Sequence, residues 1–111
     1  MRKLIVPLLV AGLLGPAAAP ALAATNVKVG DNYFVRKHGV PTVTVKKGTK
    51  VTWNFKGKSV HNATVTKGPA KFRSPTKSSG SYTKKVKKAG TYTLICTVHG
   101  AKDQSMKLVV R

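Results

Sequence analysis

Hydrophobic and polar residues alternate along most of the chain beyond residue 23. Val51, Trp53 and Phe55 are separated by polar residues, and Tyr92 and Leu94 flank a threonine in the same way. A period of two is typical of a β-strand that buries one face, because successive side chains point to opposite sides. No stretch in this part of the chain sustains the spacing of an amphipathic helix. The pattern therefore predicts an all-β domain.

Glycines divide this pattern at regular intervals. They occur at positions 30, 39, 48, 57, 68, 80, 90 and 100, so every gap is nine to twelve residues. Turn residues at this spacing favour a sandwich or a small barrel. We expect about seven to eight strands, since the first two could form one bent strand. The predicted bounds are 26–29, 32–36, 42–46, 49–56, 60–66, 81–87, 91–97 and 105–110.

The start of the chain has the composition of an export signal. A positively charged beginning is followed by an apolar run with Pro7 and Gly12, and then by small residues that end in Ala21-Leu22-Ala23. This order predicts a signal peptide over 1–23 and one domain over 24–111. A membrane anchor is the alternative, but the interrupted apolar run is too short to span a bilayer well. We therefore expect an exported protein, periplasmic or extracellular, with no transmembrane segment in the mature chain.

The size and cysteine content of the predicted domain point towards a metal. A domain this small buries a modest core, and exported domains of this size usually add disulfides or a metal ion. Cys96 is the one cysteine of the chain, so an internal disulfide is excluded. The two acidic residues, Asp31 and Asp103, are too few for a carboxylate-rich calcium site or a carboxylate-pair glycosidase.

Four residues with metal-ligand chemistry lie near the ends of predicted strands. His61 and Met106 come near the start of a strand, Cys96 comes near the end of one, and His99 follows it at C-x2-H spacing. One thiolate, two imidazoles and a weak thioether form a set that suits copper in an electron-transfer site. Each residue also has a plainer interpretation, with Cys96 as a buried core thiol and His61 as a histidine at the edge of the core.

Four short motifs occur in a fixed order along the domain. They are Val51-Thr52-Trp53, Val60-His61-Asn62-Ala63-Thr64-Val65, Ala89-Gly90-Thr91-Tyr92 and Cys96-Thr97-Val98-His99. Together they resemble the cupredoxins, the blue copper family of plastocyanin, pseudoazurin and amicyanin, over nearly all of 24–111. The resemblance implies an antiparallel Greek-key β-sandwich with one type 1 copper. It also implies that Asn62 hydrogen-bonds across the loops that carry the ligands.

The axial ligand is where the sequence departs from this family, in which a methionine usually follows the second histidine after only a few residues. Here six residues separate His99 from Met106. Alignment on the plastocyanin-like spacing puts Gln104 at the axial place, and glutamine serves there in some members. Met106 also shares its parity with Leu108 and Val110, as a core methionine would. We expect Met106 as the axial ligand, with Gln104 as the alternative.

The chain is strongly basic. It has 21 Lys and Arg against 2 acidic residues, and its net charge of +19 falls to +17 when Arg2 and Lys3 leave with the signal peptide. Such a field favours an acidic redox partner and contact with anionic envelope surfaces. No motif for specific nucleic-acid recognition accompanies the charge, so we expect no specific nucleic-acid partner. We expect the protein to be a monomer. The densest basic run contains Lys84, Lys85, Lys87 and Lys88.

Three functions are compatible with these features. The resemblance implies a secreted type 1 copper protein that carries single electrons between Cu(I) and Cu(II) and is not an enzyme. An extracytoplasmic copper chaperone or storage protein would use the same ligands but bind Cu(I) exchangeably. A metal-free cationic binding module would leave Cys96 and both histidines without a role.

Overall fold

Residues 24–111 are described by the structure, a computed structural model. The predicted signal peptide, 1–23, lies outside the described residues. Eight strands follow one another, and a single helical turn, α1 (Gly100–Asp103), precedes the last. The strands are β1 (Ala24–Gly30), β2 (Tyr33–Phe34), β3 (Thr42–Val45), β4 (Thr49–Phe55), β5 (Thr64–Lys67), β6 (Ser81–Val86), β7 (Gly90–Ile95) and β8 (Ser105–Val110).

Two four-stranded sheets pack face to face. One has the strand order β2-β1-β4-β6 and the other β3-β8-β7-β5. The predicted all-β sandwich is confirmed. Each sheet is nevertheless mixed, because β1 runs parallel to β4 and β3 runs parallel to β8. The chain crosses to the second sheet at β3 and returns to the first at β4, which places β4 parallel to β1. The other four strand pairs are antiparallel, as predicted.

The inward faces of the two sheets supply the core. The residues that alternate in the sequence alternate in burial, as in β4, where every second residue from Thr49 to Phe55 is buried. Full burial of a large apolar side chain stabilises a fold by about 1.5–3 kcal/mol. The largest fully buried apolar side chains are Trp53, Tyr92, Phe34, Leu94, Met106 and Leu108.

The strand bounds differ from the prediction at the end of the sandwich that matters for chemistry. His61 does not begin a regular strand, because β5 starts at Thr64. Instead, His61 forms an isolated bridge with Lys77, with backbone hydrogen bonds of 3.0 and 2.9 Å. We call residues 60–63 the His61 segment. Likewise β7 ends at Ile95, one residue before the cysteine.

The helical turn α1 was not predicted from the sequence. It is only four residues long, and its first N–H groups are not capped by a side chain. Within residues 24–111 no helix combines the length and the apolar character needed to cross a membrane.

Candidate metal centre

Three side chains of metal-ligand type meet at the end of the sandwich where β7 ends and β8 begins. The ligand atoms of His61, Cys96 and His99 all lie within 4.8 Å of one another. Cys96 Sγ is 3.9 Å from His61 Nδ1 and 3.6 Å from His99 Nδ1. His61 and Cys96 are fully buried, whereas His99 is partly exposed. The structure thus brings the three predicted residues into one cluster with one edge open to solvent.

The register of the β7–β8 hairpin makes Cys96 and Gln104 neighbours. Ile95 pairs with Ser105 at the end of the ladder. One position further, the Cys96 N–H donates to the Gln104 carbonyl at 3.1 Å. We call the residues from 96 to 104 the ligand loop. Because α1 forms one compact turn inside this loop, the loop can be longer than the family pattern and still return to the cysteine.

The amide of Gln104 is oriented by two backbone carbonyls. Its Nε2 donates to the Gly30 carbonyl at 3.0 Å and to the Tyr33 carbonyl at 2.9 Å. These bonds use both amide hydrogens, so Oε1 is the atom that faces the cluster, 3.0 Å from His61 Nδ1. The side chain is 1% exposed. The β1–β2 hairpin therefore holds a carbonyl oxygen against the metal-ligand cluster.

His61 is oriented from its other side by Asp31. The distance from His61 Nε2 to Asp31 Oδ1 is 2.9 Å. A carboxylate can only accept a hydrogen bond, so Nε2 carries the hydrogen, and in the neutral ring Nδ1 then presents a lone pair to the cluster. Hydrogen bonds from the Lys58 N–H, the His61 ring and the Ser59 N–H hold the pKa of Asp31 well below its usual range.

The donor atoms at the centre of the cluster fit a cation. With a neutral His61 ring, His61 Nδ1 and Gln104 Oε1 face each other with lone pairs at 3.0 Å, and the sulfur of Cys96 lies beside them. Acceptors so close repel one another unless a proton or a cation lies between them. A thiolate with two imidazoles and a weak axial oxygen is a donor set that suits copper.

Asn62 connects the His61 segment to the ligand loop. Its Nδ2 donates to Thr97 Oγ1 at 2.7 Å and to Thr76 Oγ1 at 3.1 Å. Its Oδ1 accepts from the Thr97 N–H at 3.1 Å and from the Thr64 hydroxyl at 2.8 Å. Asn62 is fully buried, so its amide has exchanged water for these partners. The two ligand-bearing segments are therefore locked together one residue away from each of His61 and Cys96.

Met106 occupies a different environment from Gln104. It pairs with Leu94 in the β7–β8 ladder and belongs to the apolar core. It lies in β8, two residues beyond Gln104, which precedes the strand, and two extended residues span about 6.6 Å. The side chain of Gln104 lies within hydrogen-bond distance of His61, whereas Met106 shares the apolar core with Cys96.

Comparisons with known proteins give matches among solved structures. Neither a protein-family model nor a curated protein sequence matches the chain. A Cu(I) structure of an amicyanin variant with methionine replaced by glutamine is 29% identical, with a TM-score of 0.66 over 86% of this chain and 90% of that one. A second Cu(I) amicyanin variant, methionine to alanine, is 28% identical with a TM-score of 0.66, covering 79% of this chain and 82% of that one.

The His–Cys–His cluster within a fold shared with these amicyanins decides the relationship. The chain is cupredoxin-like. A reduced proline-to-glycine variant of amicyanin agrees, with 29% identity and a TM-score of 0.65 over 86% of this chain and 89% of that one. The resemblance inferred from the four sequence motifs is confirmed.

Two features of this cupredoxin-like site were missed in the sequence. The sequence shows Asp31 only as one of two acidic residues, too few for a carboxylate site, yet in the structure it contacts His61. Its rarity in so basic a chain was a usable signal, as was its place directly after a glycine at a strand end. The second feature is α1, which is too short for any periodic pattern to reveal.

Proposed function

We propose that this chain is an exported type 1 copper protein that carries single electrons and has no catalytic activity of its own. The observation that carries the proposal is the convergence of His61 Nδ1, Cys96 Sγ and His99 Nδ1 at the end of a cupredoxin sandwich. Bound there, copper would supply a one-electron Cu(I)/Cu(II) couple. The solved amicyanin structures with Cu(I) support copper as the metal.

In this proposal, His61, Cys96 and His99 hold the metal and Gln104 is the axial donor. The contact between Gln104 Oε1 and His61 Nδ1 is the observation that favours Gln104 over Met106. An axial oxygen would give a lower reduction potential than a thioether. Burial of His61, Cys96 and Gln104 keeps the donors fixed, so little has to move when the charge of the site changes.

Electrons would enter and leave at His99. Its ring is the partly exposed member of the cluster, and its chain neighbour Val98 is 48% exposed. Val60, which precedes His61, is 44% exposed. Two exposed valines beside a ligand make an apolar contact surface, while the surrounding charge of the domain steers an acidic redox partner towards it. Anionic envelope surfaces would attract the same positive field.

The remaining parts of the proposal come from the sequence. Residues 1–23 would be removed on export, leaving a periplasmic or extracellular domain over 24–111. We propose that this domain works as a monomer. Its charge gives the monomer solubility, and no specific nucleic-acid partner is part of the proposal.

The test is a Cu(II) titration of the mature chain followed by visible absorption, beside a Cys96→Ser variant. We expect an intense thiolate-to-copper band that saturates at one copper per chain, disappears in Cys96→Ser and bleaches on reduction. Circular dichroism of both chains checks that the sandwich persists without the thiol. Copper binding without this band would refute the blue copper site and favour storage or delivery of copper instead.

A further inference from the structure

The carboxylate of Asp31 contacts the candidate copper ligand His61 on the side of the ring that faces away from the cluster. Its Oδ1 lies 2.9 Å from His61 Nε2, while His61 Nδ1 faces Cys96 and Gln104. Asp31 is one of only two acidic residues in a chain with 21 Lys and Arg. Resting on the proposed copper function, we propose that Asp31 is a positioning residue whose charge, acting through His61, stabilises Cu(II) over Cu(I) and lowers the reduction potential.

Hydrogen bonds from neighbouring residues fix the position of the Asp31 carboxylate. Its Oδ1 accepts from the Ser59 N–H and from the Ser59 hydroxyl, both at 3.1 Å. Both carboxylate oxygens also accept from the Lys58 N–H at 3.0 Å. Three donors besides the His61 ring therefore converge on one carboxylate, so its orientation towards His61 is defined although the side chain is partly exposed.

Gly57 provides the space for this arrangement. A Cβ at this position would collide with Asp31 Oδ1. The missing side chain lets the backbone of 57–59 wrap closely around the carboxylate. The close approach and the hydrogen bonds are independent observations, and both concern the oxygen that contacts His61.

The charge of Asp31 is directed to the histidine rather than to a lysine. Four lysines line the surface cleft of about 320 Å³ beside it. Within residues 24–111, however, the salt bridge that Asp31 makes is with His61. The four lysines of the cleft are Lys28, Lys37, Lys56 and Lys58.

The expected effect of Asp31 on the reduction potential follows from the different charges of Cu(I) and Cu(II). A carboxylate on the remote nitrogen makes an imidazole a stronger electron donor to a metal. Cu(II) carries one more positive charge than Cu(I), so it gains more from this donor and from the negative charge behind it. The net charge of +17 on the mature chain acts in the opposite direction. Asp31 therefore opposes, close to the copper site, the positive electrostatic field of the domain, which otherwise favours Cu(I).

The experiment compares copper-loaded wild type with Asp31→Asn, Asp31→Ala and Asp103→Asn. Asparagine keeps an oxygen for His61 and replaces Oδ2, whose one hydrogen bond, from the Lys58 N–H, is shared with Oδ1. Asp31→Asn thus removes the charge and retains the geometry, whereas Asp31→Ala removes both. Asp103→Asn is the matched control, because it removes the other acidic charge of the chain from an exposed position in α1.

We expect Asp31→Asn to keep the blue band while its affinity for Cu(II) falls about tenfold and its affinity for Cu(I) changes little. A tenfold fall in the ratio of the Cu(II) affinity to the Cu(I) affinity raises a one-electron reduction potential by about 59 mV. Asp31→Ala should shift the potential further, and it should also speed exchange of the His61 Nε2 proton in NMR spectra of the Cu(I) form. Asp103→Asn should leave the potential close to that of the wild type.

Two results would overturn the role of Asp31. One is an unchanged potential in Asp31→Asn, and the other is an equal shift in Asp103→Asn, which would assign the effect to the general field. Either result with a blue wild type leaves the proposed function intact. A wild type without the thiolate-to-copper band refutes the proposed function and the role of Asp31 together. Asp31→Asn decides the question by itself if Asp31→Ala folds poorly.

Discussion

The candidate metal centre consists of two halves that the chain builds by different means. In the hairpin half, Cys96 and Gln104 face each other because β7 and β8 are paired in a regular register up to Ile95 and Ser105. In the network half, His61 lies in an irregular segment and is held by side-chain hydrogen bonds, above all the one that its Nε2 donates to Asp31. A register places residues through many repeated backbone contacts, whereas a network depends on a few individual side chains.

The hairpin half and the network half differ in how well they tolerate sequence change. Lengthening the ligand loop costs little, since α1 absorbs the added residues after the ladder has ended. The network half tolerates substitution less well, because removing one polar side chain leaves a buried hydrogen-bonding group without a partner. Asn62, whose side chain contacts both halves, is the residue on which their relative position depends.

The largest expected effect comes from breaking the hairpin half below the site. Leu94 is fully buried opposite Met106, and Leu94→Ala should lower the free energy of unfolding by about 3–4 kcal/mol through lost burial and a cavity. Urea denaturation of the metal-free protein measures this loss. Thr93→Ala, on the other face of β7, serves as the control and should change the value by about 0.5 kcal/mol or less. A loss below about 1 kcal/mol for Leu94→Ala would contradict a core built on this ladder.

The second effect tests the connection between the halves. Asn62→Ala leaves the Thr97 N–H and three threonine hydroxyls without their partner, and should lower the free energy of unfolding by about 2–3 kcal/mol. Asn26→Ala is the matched control, because Asn26 makes one exposed hydrogen bond with Asn54 and should cost about 0.5 kcal/mol or less. Equal losses in the two variants would show that Asn62 does not join the halves.

The sequence predicts the hairpin half of the site better than the network half. The alternation of Val51, Trp53 and Phe55 was enough to predict β4 and its buried face. The C-x2-H spacing of Cys96 and His99 was enough to predict two members of the cluster. Both are local patterns with a fixed period or distance, which is why a single sequence reveals them.

The parts that could not be predicted depend on contacts between distant segments. Asp31 and His61 are 30 residues apart, and the glycine before Asp31 indicates a turn but not which residue the carboxylate contacts. The choice between Gln104 and Met106 depends on where the β7–β8 ladder ends, and strand ends are poorly determined by alternation. The parallel pairing of β1 with β4 likewise depends on a crossover between sheets rather than on either strand.

A third prediction concerns the axial donor. Gln104→Met should raise the reduction potential of the copper-loaded protein, because a thioether replaces an oxygen. It should also lower the free energy of unfolding by about 1–2 kcal/mol, because the Gly30 and Tyr33 carbonyls lose their donor. Met106→Leu is the control, a swap of similar volume that should leave the potential unchanged. A shift in Met106→Leu without one in Gln104→Met would assign the axial role to Met106.

The smallest effect on either half is expected from the surface charge. Replacing Lys84, Lys85, Lys87 and Lys88 with glutamine should change the free energy of unfolding by about 0.5 kcal/mol or less and leave the visible spectrum unchanged. The rate of electron transfer to an acidic redox protein should fall about threefold at low ionic strength, and the difference should vanish in high salt. Stopped-flow kinetics over a range of salt concentrations measures it. A salt-independent rate in the wild type would contradict electrostatic steering.

The measurement that tests the central claim most directly is a reversible redox titration of the copper-loaded mature chain in the presence of a Cu(I) chelator. An electron carrier keeps its metal in both states, because His61, Cys96, His99 and Gln104 are held in place by the fold. We predict a one-electron transition that repeats over many cycles, with the blue band recovered in full after each oxidation. Loss of copper to the chelator on each reduction would contradict an electron carrier and identify the chain as a protein that stores or delivers copper.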